Sequence, residues 1–99
     1  MNPAGNLGGG RKVVTSAGTR VALVSTVVST STVAITAETD NTGKIAVGDS
    51  SVVAAEGSQT NGVVLAAGDT VSLDVSDPRQ IYLDSTVSGD GVTYIYLAT

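Results

Sequence analysis

Histidine, cysteine, tryptophan and phenylalanine are all absent from the 99 residues of this chain. Without histidine and cysteine, the chain lacks the commonest general base, the commonest metal ligand and the best side-chain nucleophile. A Ser-His-Asp triad, a thiolate metal site and a disulfide are therefore excluded. A small domain without disulfides often gains stability by forming oligomers or by docking on a larger surface.

Charged residues are also scarce, at 14% of the chain, against about 25% in typical soluble domains. Serine and threonine must therefore supply most of the polar surface, and they cost less to remove from water than charged side chains do. The formal charge of −4 is uneven, with +3 over residues 1–37 and −7 over residues 38–99. This acidic body has only three aromatic residues, all tyrosine, which argues against nucleic-acid binding.

Long hydrophobic runs are missing as well. Residues 21–35 are rich in apolar side chains, but serine and threonine interrupt them, and the stretch is shorter than the roughly 20 residues of a membrane helix. Residues 1–12 lack the apolar segment of a secretory signal. We expect neither a membrane nor a small-molecule substrate or cofactor as a partner.

The chain does contain short runs in which apolar residues alternate with small or polar ones, which is the pattern of strands buried on one face. These runs occupy residues 11–15, 20–24, 32–37, 44–48, 63–65, 70–75, 80–84 and 92–97. The inward positions that they predict are Val21, Leu23, Val33, Ile35, Ala37, Ile45, Val47, Val71, Leu73, Val75, Ile81 and Leu83. With turn signals between the runs, the sequence predicts an all-β fold, a small antiparallel β-sandwich or jelly roll of about eight short strands.

Three intervening stretches are predicted to be irregular. Residues 25–32 fit a strand, a bulged edge or a wide loop, and residues 49–60 fit a loop with a brief helical turn. Residues 88–91, Ser-Gly-Asp-Gly, predict a tight hairpin before the final strand.

Residues 1–10 include four glycines and show no periodicity. Their composition predicts a flexible N-terminal arm, followed by a single β-sandwich domain over residues 11–99. Two interpretations of the arm stay open: a disordered terminus, or a segment that becomes ordered on a neighbouring molecule. In the second case, Leu7 is the expected anchor, and Arg11 and Lys12 are the expected charge contacts.

The acidic residues are the remaining candidates for chemistry. Asp49, Asp69, Asp77 and Asp90 lie in turn signals, where aspartate accepts backbone hydrogen bonds, so structural roles are expected. A catalytic carboxylate pair stays open in principle. Residues 38–43, Glu-Thr-Asp-Asn-Thr-Gly, have the oxygen-rich composition of a calcium loop but lack its full pattern. We expect neither enzymatic activity nor a bound metal ion.

The three tyrosines allow two interpretations. Tyr94 and Tyr96 share one strand face, and Tyr82 is a candidate neighbour across the sheet. Together they would form a platform for a sugar, whereas separately they would pack against the core with their hydroxyls at its edge.

Four segments of the chain together resemble small head proteins of tailed bacteriophages, namely the capsid decoration or cement proteins and related head-fibre bases. The segments are Asn-Thr-Gly-Lys-Ile-Ala-Val-Gly-Asp (41–49), Gly-Val-Val-Leu-Ala-Ala-Gly-Asp-Thr-Val-Ser-Leu-Asp (62–74), Ile-Tyr-Leu-Asp-Ser (81–85) and Gly-Asp-Gly-Val-Thr-Tyr-Ile-Tyr-Leu (89–97). The resemblance covers residues 11–98, is carried best by residues 41–97, and rests on generic strand-turn-strand patterns.

The resemblance implies a trimeric β-sandwich or jelly-roll subunit on the outer capsid surface at junctions between capsomers. Its partner would be the major capsid protein, and its location the virion, assembled in the host cytoplasm. No catalytic residue accompanies the resemblance. Two alternatives stay open: a head-fibre base or tail or baseplate component, and a carbohydrate-binding β-sandwich module.

Overall fold

A computed structural model describes residues 6–54 and 61–98 of the chain, and it contains eight strands in two antiparallel sheets. The strands are β1 (Asn6–Val13), β2 (Val21–Ala22), β3 (Thr30–Ala37), β4 (Ile45–Gly48), β5 (Val63–Leu65), β6 (Thr70–Leu73), β7 (Tyr82–Ser85) and β8 (Gly91–Ala98). A short 3₁₀ helix, Pro78–Gln80, precedes β7. The all-β sandwich predicted from the sequence is confirmed.

The two sheets have the strand order of an eight-stranded jelly roll. Sheet I has the order β1-β8-β3-β6, and sheet II has the order β2-β7-β4-β5. Successive strands pass from one sheet to the other, except that β4 and β5 are neighbours in sheet II. The two ends of the described chain therefore lie side by side in sheet I, where β1 pairs with β8 along its whole length.

The core lies between the sheets and follows the alternation of the strands. Val33, Ile35 and Ala37 on β3 are fully buried, as the sequence predicts, and so is Leu83 on β7. Val71 and Leu73 on β6, at the edge of sheet I, are only partly buried against this core. Alternation thus identified the core face, and the position of each strand in its sheet determined how deeply its side chains are buried.

Alternation fails in β4, where Ile45, Ala46 and Val47 are all buried. The first and third face the core between the sheets, but Ala46 belongs to a second cluster with Val52 and Ala54. The segment after β4 folds back over the other face of sheet II and covers Ala46. The sequence predicted a loop over 49–60; of this loop, residues 55–60 lie outside the described residues.

The start of the domain differs from the prediction. Residues 6–10, expected to belong to a flexible arm, form the first five residues of β1 and pair with Tyr94 to Ala98 of β8. Residues 1–5 lie outside the described part of the chain. The first strand therefore begins five residues before the predicted boundary at residue 11.

The predicted hairpin at residues 88–91 is also wrong. The turn around Gly89, which has φ 93°, connects β7 in sheet II to β8 in sheet I, so it passes between the sheets. Hydrogen bonds to Val14 secure it: the Val14 N–H donates to the Asp90 carbonyl (2.9 Å), and the Gly89 N–H donates to the Val14 carbonyl (2.9 Å). A sequence signal for a tight turn does not specify whether the flanking strands pair with each other.

Candidate interaction surface

The three predicted contact residues all lie on β1, but they do not form a single contact. Leu7 and Arg11 are exposed, and both belong to the face of sheet I that points away from the core. Lys12 pairs with the buried Val92, so it lies on the opposite face of the strand and is half-buried. The strand therefore separates the lysine from the other two residues.

Leu7 lies in an apolar patch on the outer face of sheet I. It pairs directly with Leu97, and Ile95 lies two residues further along β8 on the same face. Their exposed fractions are 74% for Leu7, 37% for Leu97 and 50% for Ile95. We call these three residues the outer patch. The sequence identified Leu7 alone, because the position of β1 beside β8 is needed to bring the other two next to it.

Threonine borders the outer patch and supplies much of the polar surface of this face. The Thr36 and Thr70 hydroxyls lie 2.8 Å apart across β3 and β6, and the Thr32 hydroxyl donates to Asp74 (3.1 Å). A hydroxyl that is hydrogen-bonded within the protein loses fewer hydrogen bonds to water, when a partner covers it, than a hydroxyl that bonds only to water.

Arg11, which the sequence predicts to be a contact to another molecule, has a partner within the chain. Its guanidinium donates to both carboxylate oxygens of Glu38, from Nε at 2.5 Å and from a terminal nitrogen at 3.0 Å. This hydrogen bond and the charge of Glu38 raise the pKa of Arg11 above its ordinary value. The pair balances the charge of Arg11 within the chain.

The tyrosines do not form one platform. Tyr94 and Tyr96 lie on the core side of sheet I, partly buried against the core, with ring centroids 6.3 Å apart and planes at 16°. Burial raises the pKa of Tyr94, with a smaller contribution from Tyr96. Tyr82 lies in sheet II and packs against the second cluster.

Each of the four turn aspartates accepts a backbone N–H, which confirms the structural role predicted for them. The donors are Ser51 for Asp49, Ala66 for Asp69, Arg79 for Asp77, and Thr42 and Gly43 for Asp90. The sequence did not predict the structural role of Asp84, which is buried on β7 and connects two loops. Its Oδ1 accepts from Gly18 (3.0 Å) and Ser85 (2.9 Å), and its Oδ2 accepts from Ala54 (2.9 Å).

Asp84 lies at a shallow depression of about 380 Å³, lined also by Gly18, Ala54 and Thr86. Both oxygens of its carboxylate already accept backbone N–H groups, so among the described residues that line the depression the one charged side chain is hydrogen-bonded within the protein. The signal that the sequence offered for Asp84 was its position as the last residue of the predicted strand 80–84, directly after the inward Leu83.

Two residues of the segment 38–43, Glu38 and Asn41, use their side-chain oxygen atoms within the protein. Glu38 binds Arg11, and the Asn41 side chain bonds both to the N–H and to the carbonyl of Gly91, each at 2.9 Å. In residues 6–54 and 61–98, no group of three or more histidine, cysteine, aspartate or glutamate residues is arranged to hold a metal ion.

Jelly rolls occur in viral capsid proteins, lectins and cupins, so this fold alone does not assign a function. Within the described part of the chain, no helix is long and apolar enough to cross a membrane. Comparisons of the chain with models of protein families, with curated proteins and with solved structures found no match.

Proposed function

We propose that this protein is a structural virion protein that binds the outer surface of a tailed-phage capsid and stabilises the junctions between capsomers. The observation that carries the proposal is the outer patch of Leu7, Ile95 and Leu97 on a face of low charge. The segments that resemble capsid decoration proteins support the same function. In this proposal the chain acts as a trimer, and its partner is the major capsid protein.

The outer face has the composition of a protein interface. The centres of such interfaces are depleted in charge, and a polar rim surrounds them. Here the exposed leucine and isoleucine side chains lie towards one end of β1 and β8, threonine of β3 lies beside them, and the Arg11–Glu38 ion pair lies further along β1. A capsid surface that covers the outer patch would bury apolar area, which favours association.

The jelly roll adds support by analogy, because the same architecture recurs in viral shells.

A head-fibre base or a tail or baseplate component would use the same outer face against a different virion protein. The positions of the tyrosines weigh against the carbohydrate-binding alternative, since Tyr94 and Tyr96 face the core and Tyr82 lies in the other sheet.

The test is co-sedimentation of the purified chain with empty phage heads that lack decoration protein. We expect the wild-type chain to sediment with the heads and Ile95→Glu to remain in the supernatant. Val64→Glu on β5 is the matched control, because Val64 is 44% exposed and Ile95 is 50% exposed, but Val64 lies in sheet II. Circular dichroism checks that both variants keep the fold.

Two results would overturn the proposal. One is a folded wild-type chain that remains in the supernatant at every head concentration tested. The other is an Ile95→Glu variant that binds as well as wild type, which would leave the outer patch without a role in attachment.

A further inference from the structure

β1 pairs with one other strand only, and the Arg11–Glu38 ion pair is a further side-chain link to the domain. It is an edge strand of sheet I, and β8 is its pairing partner along all eight residues. None of the buried residues of the main core belongs to β1, since the first of them along the chain is Val14. The fully buried side chains of the main core are therefore all supplied by residues outside 6–13.

The boundary between β1 and the core is sharp. Val14 is fully buried, and both its N–H and its carbonyl are hydrogen-bonded to the turn before β8. Release of residues 6–13 would break the backbone ladder to β8 and the Arg11–Glu38 ion pair but would leave the anchor at Val14 in place. β1 is thus bound to the domain in the way that an added peptide strand is bound to a sheet edge.

The edge of β8 selects for glycine in the strand that it binds. A Cβ atom on Gly8 would lie 2.5 Å from Tyr96 Cζ, and one on Gly10 would lie 2.8 Å from the Tyr94 hydroxyl oxygen. The two tyrosine rings therefore occupy the space that side chains would need. Residues 8–10 are the only run of three glycines in the chain, so the segment that fits this edge is supplied by the chain itself.

We infer that β1 exchanges between copies of this protein, with residues 6–13 of one copy pairing with β8 of a second copy. The exchanged strand makes the same backbone bonds and the same glycine–tyrosine contacts as in the closed monomer, so exchange costs little contact energy. A cysteine-free domain of this size buries a modest core and gains stability from association. The partner is therefore a second copy, recognised through its Gly-x-Gly strand.

The absence of native cysteine makes a direct test practical. Leu7→Cys is prepared at natural isotope abundance and Leu97→Cys with heavy nitrogen, because these two positions are directly paired. The two variants are unfolded together in urea, refolded at high concentration and treated with a short bis-maleimide. Mass spectrometry then counts cross-linked dimers that contain one chain of each kind.

If β1 is exchanged, the thiol at position 7 of one chain lies next to the thiol at position 97 of the other chain. We therefore expect mixed dimers to be the main cross-linked product. The control replaces Leu7→Cys by Thr32→Cys, which pairs with Leu97 from the internal strand β3. This control is expected to give only the random proportion of mixed dimers that collisions produce. Adding Gly10→Val to the Leu7→Cys chain is expected to reduce mixed dimers to the control level.

The inference is overturned if mixed dimers do not exceed the Thr32→Cys control. It is also overturned if the double variant Leu7→Cys/Leu97→Cys cross-links entirely within one chain at the same concentration. The experiment contains no phage heads, so its outcome does not depend on the proposed attachment to a capsid.

Discussion

The ring of Tyr96 lies across Gly8 on the neighbouring strand, so closely that a Cβ atom on Gly8 would stand 2.5 Å from Tyr96 Cζ. Glycine is unfavourable in a strand because it loses the most conformational freedom and offers no side chain to pack. Here the aromatic ring fills the vacant side-chain space and covers the glycine backbone. This contact explains how a segment with a flexible composition forms the first strand.

We expect Gly8→Val to lower the free energy of unfolding by about 1–3 kcal/mol, as overpacking of a close contact does. Urea denaturation measures the loss. The same substitution in a Tyr96→Ala background should cost clearly less, because the ring that opposes the valine has been removed. Equal costs in the two backgrounds would show that Tyr96 does not determine the need for glycine.

Asp84→Ala should be strongly destabilising, because the backbone N–H groups of Gly18, Ala54 and Ser85 lose their acceptor. Each buried donor left unpaired costs about 1–3 kcal/mol, and because water reaches part of this site we expect a total loss of about 2–4 kcal/mol. Asp74→Ala is the control, since Asp74 is exposed and should change stability by less than about 0.5 kcal/mol. Thermal and urea unfolding measure the loss of stability in both variants. Similar losses for Asp84→Ala and Asp74→Ala would contradict the structural role of Asp84.

The pKa of Asp77 is lowered, first by the side-chain hydrogen bond from Arg79 and then by the Arg79 backbone N–H. A lowered folded pKa contributes stability above the unfolded pKa, and this contribution is lost as the pH falls through the folded value. Arg79→Met should move the pKa of Asp77 part of the way back, because the backbone bond remains. Carbon-detected NMR titration of the carboxylate measures this change, and an unchanged titration curve would exclude the guanidinium as the main cause.

Leu83→Ala should cost about 2–5 kcal/mol, the usual range for a fully buried leucine. Leu73→Ala should cost less, because Leu73 lies on the edge strand β6 and is only half-buried. The alternating pattern of the sequence predicts that both leucines face the core. The comparison therefore tests how the place of the strand in its sheet changes the cost of the substitution. Urea denaturation of the two variants tests the order, and a larger loss for Leu73→Ala would contradict it.

Local pattern was sufficient for the features that depend on neighbouring residues alone. The alternation in β3 predicted that Val33, Ile35 and Ala37 face the core, because a strand points successive side chains to opposite faces. The turn aspartates were predictable for the same reason, since Asp49 and Asp77 accept hydrogen bonds from backbone two residues away. The all-β class and the number of strands followed from these signals.

Only the tertiary structure decided which strands became neighbours, because pairing joins segments that are distant in the chain. β1 is a strand because Tyr94 and Tyr96, more than eighty residues later, cover its glycines. Asp84 is tolerated in the interior because two distant loops bring N–H groups to it. The outer patch likewise depends on the pairing of Leu7 with Leu97. The sequence by itself determined the local strands and turns, and the long-range packing decided the sheet order, the buried carboxylate and the apolar face.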